Sequence, residues 1–186
     1  QYKNFPKDKI NIVFDLDQTL IHTDKISKWN EYNKSNMLEP YIVKSQESNL
    51  ESNRIIWVRP WVKILIPIIS QFNNVYLFTR ATKPYADDIV NKIEIDKYFI
   101  EKKYRIECAS QSCKDLNKFN IDSNKSYLVD DKLSNNCPNQ KIYHIPQFNN
   151  FTKYDYEILK LFGWILFINI KNDLLNVFQY IKQEKN

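Results

Sequence analysis

The chain has 186 residues, of which 43% are hydrophobic and 15% aromatic, and this composition excludes a largely disordered protein. Its 27 basic and 22 acidic side chains leave a net charge of +5, which favours acidic or phosphorylated partners or simply forms a solvated surface. The only glycine, Gly163, excludes the phosphate-binding loops of nucleotide-binding proteins, because those loops need several glycines. A chain of this length is near the size of one compact domain, so we expect one domain over residues 1–186. Because the glycine-rich loops are excluded, any phosphate chemistry must use side chains and a metal.

Short apolar runs that end in polar residues predict buried strands along the chain. Helical patterns lie between them, and one begins after the capping residue Thr82. This alternation predicts an α/β fold: an open, mostly parallel sheet with helices on both faces and a site at the carboxyl ends of its strands. The predicted strands are 10–14, leading into Asp15; 74–78, leading into Thr79; 126–129, leading into Asp130 and Asp131; and 141–145.

Three other segments carry expectations of their own. Residues 24–57 are polar and predict an insertion after the first strand, in the form of a small hairpin or cap. Residues 59–70 predict a helix that Pro67 should kink or end. Residues 158–170 are too short for a membrane span and predict a buried helix. A separate C-terminal helix, capped by Asn172, should dock one face on the sheet through Leu174, Val177, Phe178 and Ile181.

Asp15 and Asp17 are the first candidates for chemistry, because residues two apart in an extended chain point to the same side. Two such carboxylates suit phosphoryl transfer through a covalent intermediate, in which one acid attacks phosphorus and the other protonates the leaving oxygen. Taken alone, the pair could equally follow a strand as turn residues. Thr79 and Lys114 could donate to phosphoryl oxygens, and the pair Asp130 and Asp131 could join Asp15 in holding Mg²⁺.

These residues carry a resemblance to a known family. The run from Asp15 to Leu20 resembles the first motif of the haloacid-dehalogenase superfamily of phosphotransferases. Within it, the chain is most similar to the phosphatases of the RNA polymerase II carboxy-terminal domain and their small relatives, the NLI-interacting-factor-like family. The matching segments, in order, are 13–23, Arg59 and Pro60, 77–79, 85–87, 114–116 and 128–131.

The resemblance implies roles for the matching residues. It implies Asp15 as nucleophile, Asp17 as general acid and base, and Thr79 and Lys114 as phosphate ligands. It also implies that Mg²⁺ is held by Asp15, the backbone carbonyl of Asp17, and Asp131, with Asp130 and Thr19 in support. The chain departs from the family pattern at Gln18, at Trp61, where a glycine is frequent, and at Arg80, which could hinder or assist a phosphate.

The expected substrate is a phosphorylated protein or peptide, including the carboxy-terminal repeat of RNA polymerase II, with no direct nucleic-acid contact. Aromatic residues of the insertion could form a groove for an extended peptide or could merely cover the core. They are Trp29, Tyr32, Tyr41 and Trp57, with Arg80 beside them.

A non-enzymatic alternative remains open. One branch of the family resembles a receptor subunit of the mitochondrial inner-membrane translocase, a larger complex in which the fold serves binding. The family implies a nuclear location, and this alternative implies a mitochondrial one.

Cys108, Cys113 and Cys137 support neither a disulfide framework nor a zinc site, which indicates a reducing compartment.

Overall fold

The computed structural model describes residues 9–31, 38–47, 50–108, 113–149 and 152–183, and at 29–31, 44–47, 50–52 and 177–183 it describes the backbone alone. The strands are β1 (Asn11–Phe14), β2 (Ile21–Lys25), β3 (Tyr41–Glu47), β4 (Leu50–Val58), β5 (Asn74–Phe78), β6 (Glu101–Lys103), β7 (Ser126–Asp130) and β8 (Lys141–His144). The α-helices are α1 (Val62–Phe72), α2 (Lys83–Lys92), α3 (Arg105–Cys108) and α4 (Glu157–Gln183).

The main sheet is parallel and has the strand order β6-β5-β1-β7-β8. Its central strand, β1, is buried along its whole length, as the continuous apolar run predicts for a strand covered on both faces. The four strands predicted for this sheet are all present. Because the strands are parallel, their carboxyl ends lie along one edge, and this brings together residues that are distant in sequence.

The two faces of this sheet are covered unequally. Ile12 and Phe14 of β1 point into the larger core, which the buried sides of α1, α2 and α4 complete. Val13 points to the opposite face, where the smaller core includes Cys108 at the end of α3 and Phe119 of a short 3-10 helix. The predicted α/β fold with helices on both faces of the sheet is confirmed, with the three long helices on one face and the short helix α3 on the other.

The segment predicted as an insertion forms a second, antiparallel sheet of order β2-β4-β3. This sheet begins at Ile21, directly after the first acidic motif, and its strand β4 ends at Val58. Because β2 and β4 are antiparallel, the end of β4 lies beside the start of β2, and the backbone N–H of Arg59 donates to the carbonyl of Leu20 (2.9 Å). Beneath it, Trp57 and Ile55 pack with Phe148 in a small core of their own.

Helix α1 runs through Pro67, so the predicted end of the helix at this residue is wrong. Its apolar face buries Val62, Leu65, Ile66 and Ile69, and that burial outweighs the single backbone hydrogen bond that a proline removes. Trp61, which precedes the helix, has a left-handed backbone with φ of 71°. This conformation favours glycine, the residue that the family resemblance leads us to expect at this position.

Helix α4 is one continuous helix of 27 residues, so the predicted separate helix beginning after Asn172 is wrong. The stretch holds no proline that would end it, and Asn169 inside the helix donates to Asn73 (3.0 Å). Leu174 is 54% exposed and does not dock on the sheet, whereas the side chains of Val177, Phe178 and Ile181 lie outside the described part. Among the described helices, none has both the length and the apolar character of a membrane span.

Candidate active site

A cavity of about 290 Å³ opens at the carboxyl edge of the main sheet, where the sequence predicts a site. Asp15 follows β1, Thr79 follows β5 and Asp131 follows β7, and all three side chains line it. The other lining residues are Asp17, Gln18, Thr23, Arg54, Arg80, Ala81, Tyr85, Arg105, Lys132 and Asn135. A larger cavity of about 430 Å³, lined by Lys63, Lys97 and their neighbours, contains none of the predicted site residues.

Lys114 joins two of the acids, although its own side chain is not among the residues that line the cavity. Its Nζ lies 2.5 Å from Oδ1 of Asp15 and 2.7 Å from Oδ2 of Asp130, and its side chain is fully buried. Burial lowers the pKa of Lys114, but the two carboxylates raise it more, so the pKa is raised and the ammonium stays charged. The structure thus places a permanent positive charge against the predicted nucleophile.

Asp130 is held by donors from the loop that follows β7. Asn135 Nδ2 donates to both of its carboxylate oxygens (2.9 and 3.0 Å), and the backbone N–H of Lys132 donates to Oδ1 (2.8 Å). Asp130 is 0% exposed and does not line the cavity. Asn135 is a site residue that the sequence reasoning missed, because a lone Asn in a loop carries no periodic or spacing signal.

Asp15 is 6% exposed, and burial raises its pKa to about 7. The Lys114 ammonium lowers the pKa, while Asp130 and Asp17 raise it further. Thr19 Oγ1 donates to Oδ2 of Asp15 (3.3 Å). A further positive charge at this place would favour the ionised carboxylate that nucleophilic attack requires.

The residues fit a divalent cation. Asp15, Asp130 and Asp131 are buried, and each offers a carboxylate oxygen within 4.8 Å of the others. Hard oxygen ligands of this kind suit Mg²⁺. Asp131 Oδ2 accepts from Gln147 Nε2 (2.9 Å), which orients that carboxylate. The side chain of Asp17 is not part of this group.

Asp17 lies in a different environment from Asp15. Its Oδ1 accepts from Tyr85 Oη (2.7 Å), and the same hydroxyl lies 2.8 Å from Thr23 Oγ1. Burial raises the pKa of Asp17, against the opposing effects of the Tyr85 hydrogen bond and the Arg54 charge. A carboxyl with a raised pKa is suited to give up a proton in a reaction.

The structure contradicts the proposed aromatic groove at Trp57 and Tyr41. Trp57 is fully buried, because its face of β4 turns inward against Phe148. Tyr41 is half-buried, and its hydroxyl accepts from Lys63 Nζ (3.3 Å), beside the other cavity. The side chain of Trp29 and the whole of Tyr32 lie outside the described residues. Of the predicted groove side chains that the structure describes, only Arg80 lines the cavity.

The predicted absence of a disulfide is wrong, because Cys113 and Cys137 are bonded to each other. They are 24 residues apart in sequence, but a β-bridge between Lys114 and Asn136 brings their backbones together. The backbone N–H of Lys114 donates to the carbonyl of Asn135 (2.7 Å), next to this bridge. Cys108 is buried and free.

A fold with these carboxylates at the carboxyl edge of a β6-β5-β1-β7-β8 sheet defines a haloacid-dehalogenase-like protein. The chain belongs to the NLI interacting factor-like phosphatase family, whose model matches residues 10–175.

Curated relatives match part of the chain. It is 29% identical over 123 residues to Nuclear envelope morphology protein 1 of Schizosaccharomyces pombe, covering 64% of this chain and 25% of that protein. It is 25% identical over 139 residues to human Carboxy-terminal domain RNA polymerase II polypeptide A small phosphatase 2, covering 73% of this chain and 46% of that protein. The chain thus spans between a quarter and half of these relatives.

Solved structures show the same fold. One structure of Fcp1, an essential RNA polymerase II CTD phosphatase, aligns with a TM-score of 0.62 at 23% identity, covering 77% of this chain and 43% of that one. A fission yeast Fcp1 variant bound to beryllium fluoride aligns with a TM-score of 0.61 at 21% identity, with the same coverage of 77% and 43%. At this identity, the likeness concerns the fold alone.

Proposed function

We propose that this chain is a Mg²⁺-dependent phosphatase that hydrolyses phosphoserine or phosphothreonine in a protein through a phosphoaspartate on Asp15. The observation that carries the proposal is the position of the Asp15 carboxylate, which lines a cavity with Lys114 at 2.5 Å and two further carboxylates beside it. The similarity to a human RNA polymerase II small phosphatase supports a protein substrate and makes the polymerase carboxy-terminal repeat one candidate.

In the first half of the reaction, a carboxylate oxygen of Asp15 attacks phosphorus and the bond to the serine or threonine oxygen breaks. Asp17 gives its proton to that oxygen, so that the products are a phosphoaspartate and a neutral hydroxyl. The raised pKa of Asp17 favours the protonated form that this step needs. Its hydrogen bond from Tyr85 fixes the carboxyl in the cavity.

In the second half, a water attacks the phosphorus of the phosphoaspartate, and Asp17 accepts its proton. The bond between phosphorus and the Asp15 oxygen breaks, which releases phosphate and restores both acids. Lys114 and Thr79 would donate to the phosphoryl oxygens in both halves. Among the described residues, two donors of the Lys114 ammonium face Asp15 and Asp130, which leaves one for the phosphoryl group.

Asp15 and Asp131, with the Asp17 carbonyl, would hold Mg²⁺. The bound cation supplies positive charge that offsets the repulsion between the Asp15 carboxylate and an anionic phosphate. Asp130 would act by holding Lys114 in place.

The test compares the wild-type chain with Asp15→Asn, using an aryl phosphate and a phosphopeptide in the presence of Mg²⁺. The variant keeps the side-chain volume, so it should fold normally while its turnover falls by about a thousandfold or more. Chelation of divalent metal should stop the wild-type reaction, and added Mg²⁺ should restore it. Appreciable turnover by Asp15→Asn would refute the phosphoaspartate, and full activity in chelator would refute the metal.

If neither protein turns over any substrate, the non-enzymatic alternative gains, in which the fold serves binding in a larger complex. Asp15, Asp17 and Asp131 line one cavity and Lys114 contacts Asp15, which favours the enzyme. A circular dichroism spectrum of each protein is the control that both are folded.

We further propose that the protein acts at the nuclear envelope or in the nucleus, because relatives in two yeasts are named nuclear envelope morphology proteins. The mitochondrial alternative has no support among the relatives named above. A fluorescent fusion of the full-length protein, imaged beside a nuclear-rim marker and a mitochondrial marker, separates the two locations.

A further inference from the structure

Lys114 lies outside the strands of the main sheet, so the position of its backbone depends on contacts with the loop between β7 and β8. We call residues 113–116 the Lys114 segment. An isolated β-bridge joins Lys114 to Asn136, and the backbone N–H of Lys114 donates to the carbonyl of Asn135 (2.7 Å). Cys113 is bonded to Cys137 of the same loop. These contacts hold the start of the segment.

Gln140 holds the rest of the Lys114 segment. Its Nε2 donates to the carbonyl of Lys114 (3.0 Å), and its Oε1 accepts from the backbone N–H of Leu116 (2.7 Å). The residue between them, Asp115, has an extended backbone with φ of −77° and ψ of 109°. In a parallel sheet, one residue of a strand pairs with the carbonyl before and the N–H after the facing residue. The amide of Gln140 therefore takes the place of a parallel strand beside Asp115.

A tight turn brings Gln140 to this position. Pro138 and Asn139 are its central residues, and the backbone N–H of Gln140 donates to the carbonyl of Cys137 (3.3 Å). Asn139 has a φ of 66°, a left-handed conformation that Asn tolerates, and proline suits the position before it. The carbonyl of Gln140 accepts from Asn136 Nδ2 (3.1 Å), which fixes the residue on the far side of the turn.

The two contacts of Gln140 need an amide. A primary amide presents a donor and an acceptor together, whereas a carboxylate presents acceptors alone and the side chain of methionine presents no N–H. Gln140 is half-buried and is not among the residues that line the cavity. It therefore acts on the site through the backbone of the Lys114 segment.

The position of this backbone decides where the ammonium of Lys114 lies. Nζ contacts Asp15 Oδ1 (2.5 Å) and Asp130 Oδ2 (2.7 Å), and the lysine side chain is 0% exposed. An enclosed side chain has little room to adjust when its backbone moves, so both contacts depend on the segment staying in place. A misplacement of about 1 Å at a catalytic group can lower a rate by about a hundredfold.

We propose, on the basis of the proposed phosphatase function, that Gln140 is a positioning residue, whose side-chain amide holds the Lys114 ammonium against Asp15 and the phosphoryl group. The amide replaces a strand at the one segment of the site that the main sheet does not contain. Gln140 lies 26 positions from Lys114 in sequence, so only the folded loop brings the two together.

The test measures inhibition by inorganic phosphate together with turnover of an aryl phosphate and a phosphopeptide. Gln140→Met keeps the length of the side chain and removes both contacts. It should raise the Ki of phosphate and lower kcat/KM for both substrates, each by about tenfold. The ratio of kcat/KM between the two substrates should stay at the wild-type value, because proton transfer by Asp17 is untouched.

Gln140→Glu is the second variant, and it keeps one of the two contacts in case Gln140→Met does not fold. The carboxylate still accepts from the N–H of Leu116, but it turns an acceptor instead of a donor towards the carbonyl of Lys114. This variant should also raise the Ki of phosphate. A circular dichroism spectrum of each variant shows whether it is folded.

Asn11→Leu is the matched control. Asn11 Nδ2 donates to Ser126 Oγ (3.1 Å), and Asn11 Oδ1 accepts from Asn74 Nδ2 (3.0 Å), so this variant also removes one donor and one acceptor, but at the amino end of β1. It should lower the Tm and leave the Ki of phosphate unchanged. If the Gln140 variants likewise lower the Tm but keep the wild-type Ki and kcat/KM, their role is merely structural and the proposal is overturned.

The outcomes separate this proposal from the proposed function. If the wild type turns over no substrate, the phosphatase is overturned, and the rise in Tm with added inorganic phosphate decides on Gln140, because a ligand of the folded state stabilises it. This rise should be present in the wild type and in Asn11→Leu and smaller in both Gln140 variants. Equal rises in all four proteins, or no rise in any of them, would overturn the role of Gln140.

Discussion

Nζ of Lys114 lies 2.5 Å from Oδ1 of Asp15, although 99 positions separate the two residues in sequence. The pair is almost fully buried, with side-chain exposures of 0% for Lys114 and 8% for Asp15. Removal of one partner leaves an uncompensated buried charge, which costs several kcal/mol.

We therefore expect Lys114→Met to lose turnover and to lower the free energy of unfolding by about 3 kcal/mol. The double variant Lys114→Met, Asp15→Asn should recover part of this loss, because the carboxylate left without its cation is then absent. Urea unfolding of the wild type, both single variants and the double variant measures the coupling. Strictly additive losses would show that the two side chains do not interact in solution.

Tyr85 is expected to position Asp17 for proton transfer. Tyr85→Phe removes the donor at 2.7 Å and should lower kcat for a phosphopeptide by about tenfold. The effect should be smaller for an aryl phosphate, whose leaving oxygen needs less help from an acid. The measurement is the ratio of the two kcat values. Tyr104→Phe is the matched control, since its hydroxyl contacts Asp87 instead; an equal loss on both substrates would indicate a merely structural role.

The buried pair of Arg59 and Asp155 connects the first motif to the start of α4. Arg59 Nε lies 3.0 Å from both oxygens of Asp155, and its Nη1 donates to the carbonyl of Thr19 (3.0 Å). Asp155→Asn should lower the free energy of unfolding by about 3 kcal/mol, since the guanidinium stays buried without its anion. Lys160→Ala, which breaks an exposed pair, should change it little. If urea unfolding shows the same loss of unfolding free energy for Asp155→Asn and Lys160→Ala, burial does not set the contribution of these ion pairs.

The disulfide between Cys113 and Cys137 flanks Lys114 and should stabilise the loop that presents it. For a sequence separation of 24, the expected stabilisation is about 3 kcal/mol, or about 6–12 °C in Tm. Reductant should lower the Tm of the wild type by that amount and leave the Cys113→Ser, Cys137→Ser variant unchanged. Alkylation of the unreduced, unfolded protein should modify Cys108 alone; modification of all three cysteines would show that the disulfide is absent.

Asp87 should contribute stability that depends on pH. Burial raises its pKa, but hydrogen bonds from Lys102, Lys83 and Tyr104 outweigh this and lower the pKa to about 2, from 3.8. A lowered pKa in the folded state gives stability that is present above pH 3.8 and is lost as the pH falls towards 2.

Asp87→Asn should therefore lower the free energy of unfolding at pH 6 by about 1 kcal/mol, a value that allows for screening by solvent, and should have almost no effect at pH 2. Urea unfolding at both pH values measures the difference. Asp88→Asn, at an exposed neighbouring position, is the control. A loss of equal size at both pH values would show that the carboxylate charge contributes nothing.

The strands of the main sheet and the class of site follow from local features of the sequence. A β-branched run that ends in Asp15, and similar runs that end in Thr79 and Asp130, give both the strand and the edge at which it ends. Such runs can be recognised in a sequence because a strand buried on both faces is apolar along its length. A polar residue at the buried end of such a strand needs a hydrogen-bonding partner or a functional role.

Other parts of the fold depend on contacts that local patterns do not carry. Pro67 remains inside α1 because the apolar face of that helix is buried, and burial is a property of the packed molecule. Trp57 belongs to the core because β4 turns it towards Phe148. An aromatic residue in a polar segment is compatible with either a core or a groove, and only the packed strand decides between them.

The sequence alone determined the parallel sheet, the family, and the set of Asp15, Asp17, Thr79, Lys114 and Asp131 as candidates. Only the tertiary structure decided that Asn135 fixes Asp130, that Cys113 bonds to Cys137, and that Arg54 faces the same cavity as Arg105. The physical reason is distance along the chain. Periodicity and spacing report on neighbours within a strand or a helix, whereas these contacts join separate loops that only the folded sheet brings together.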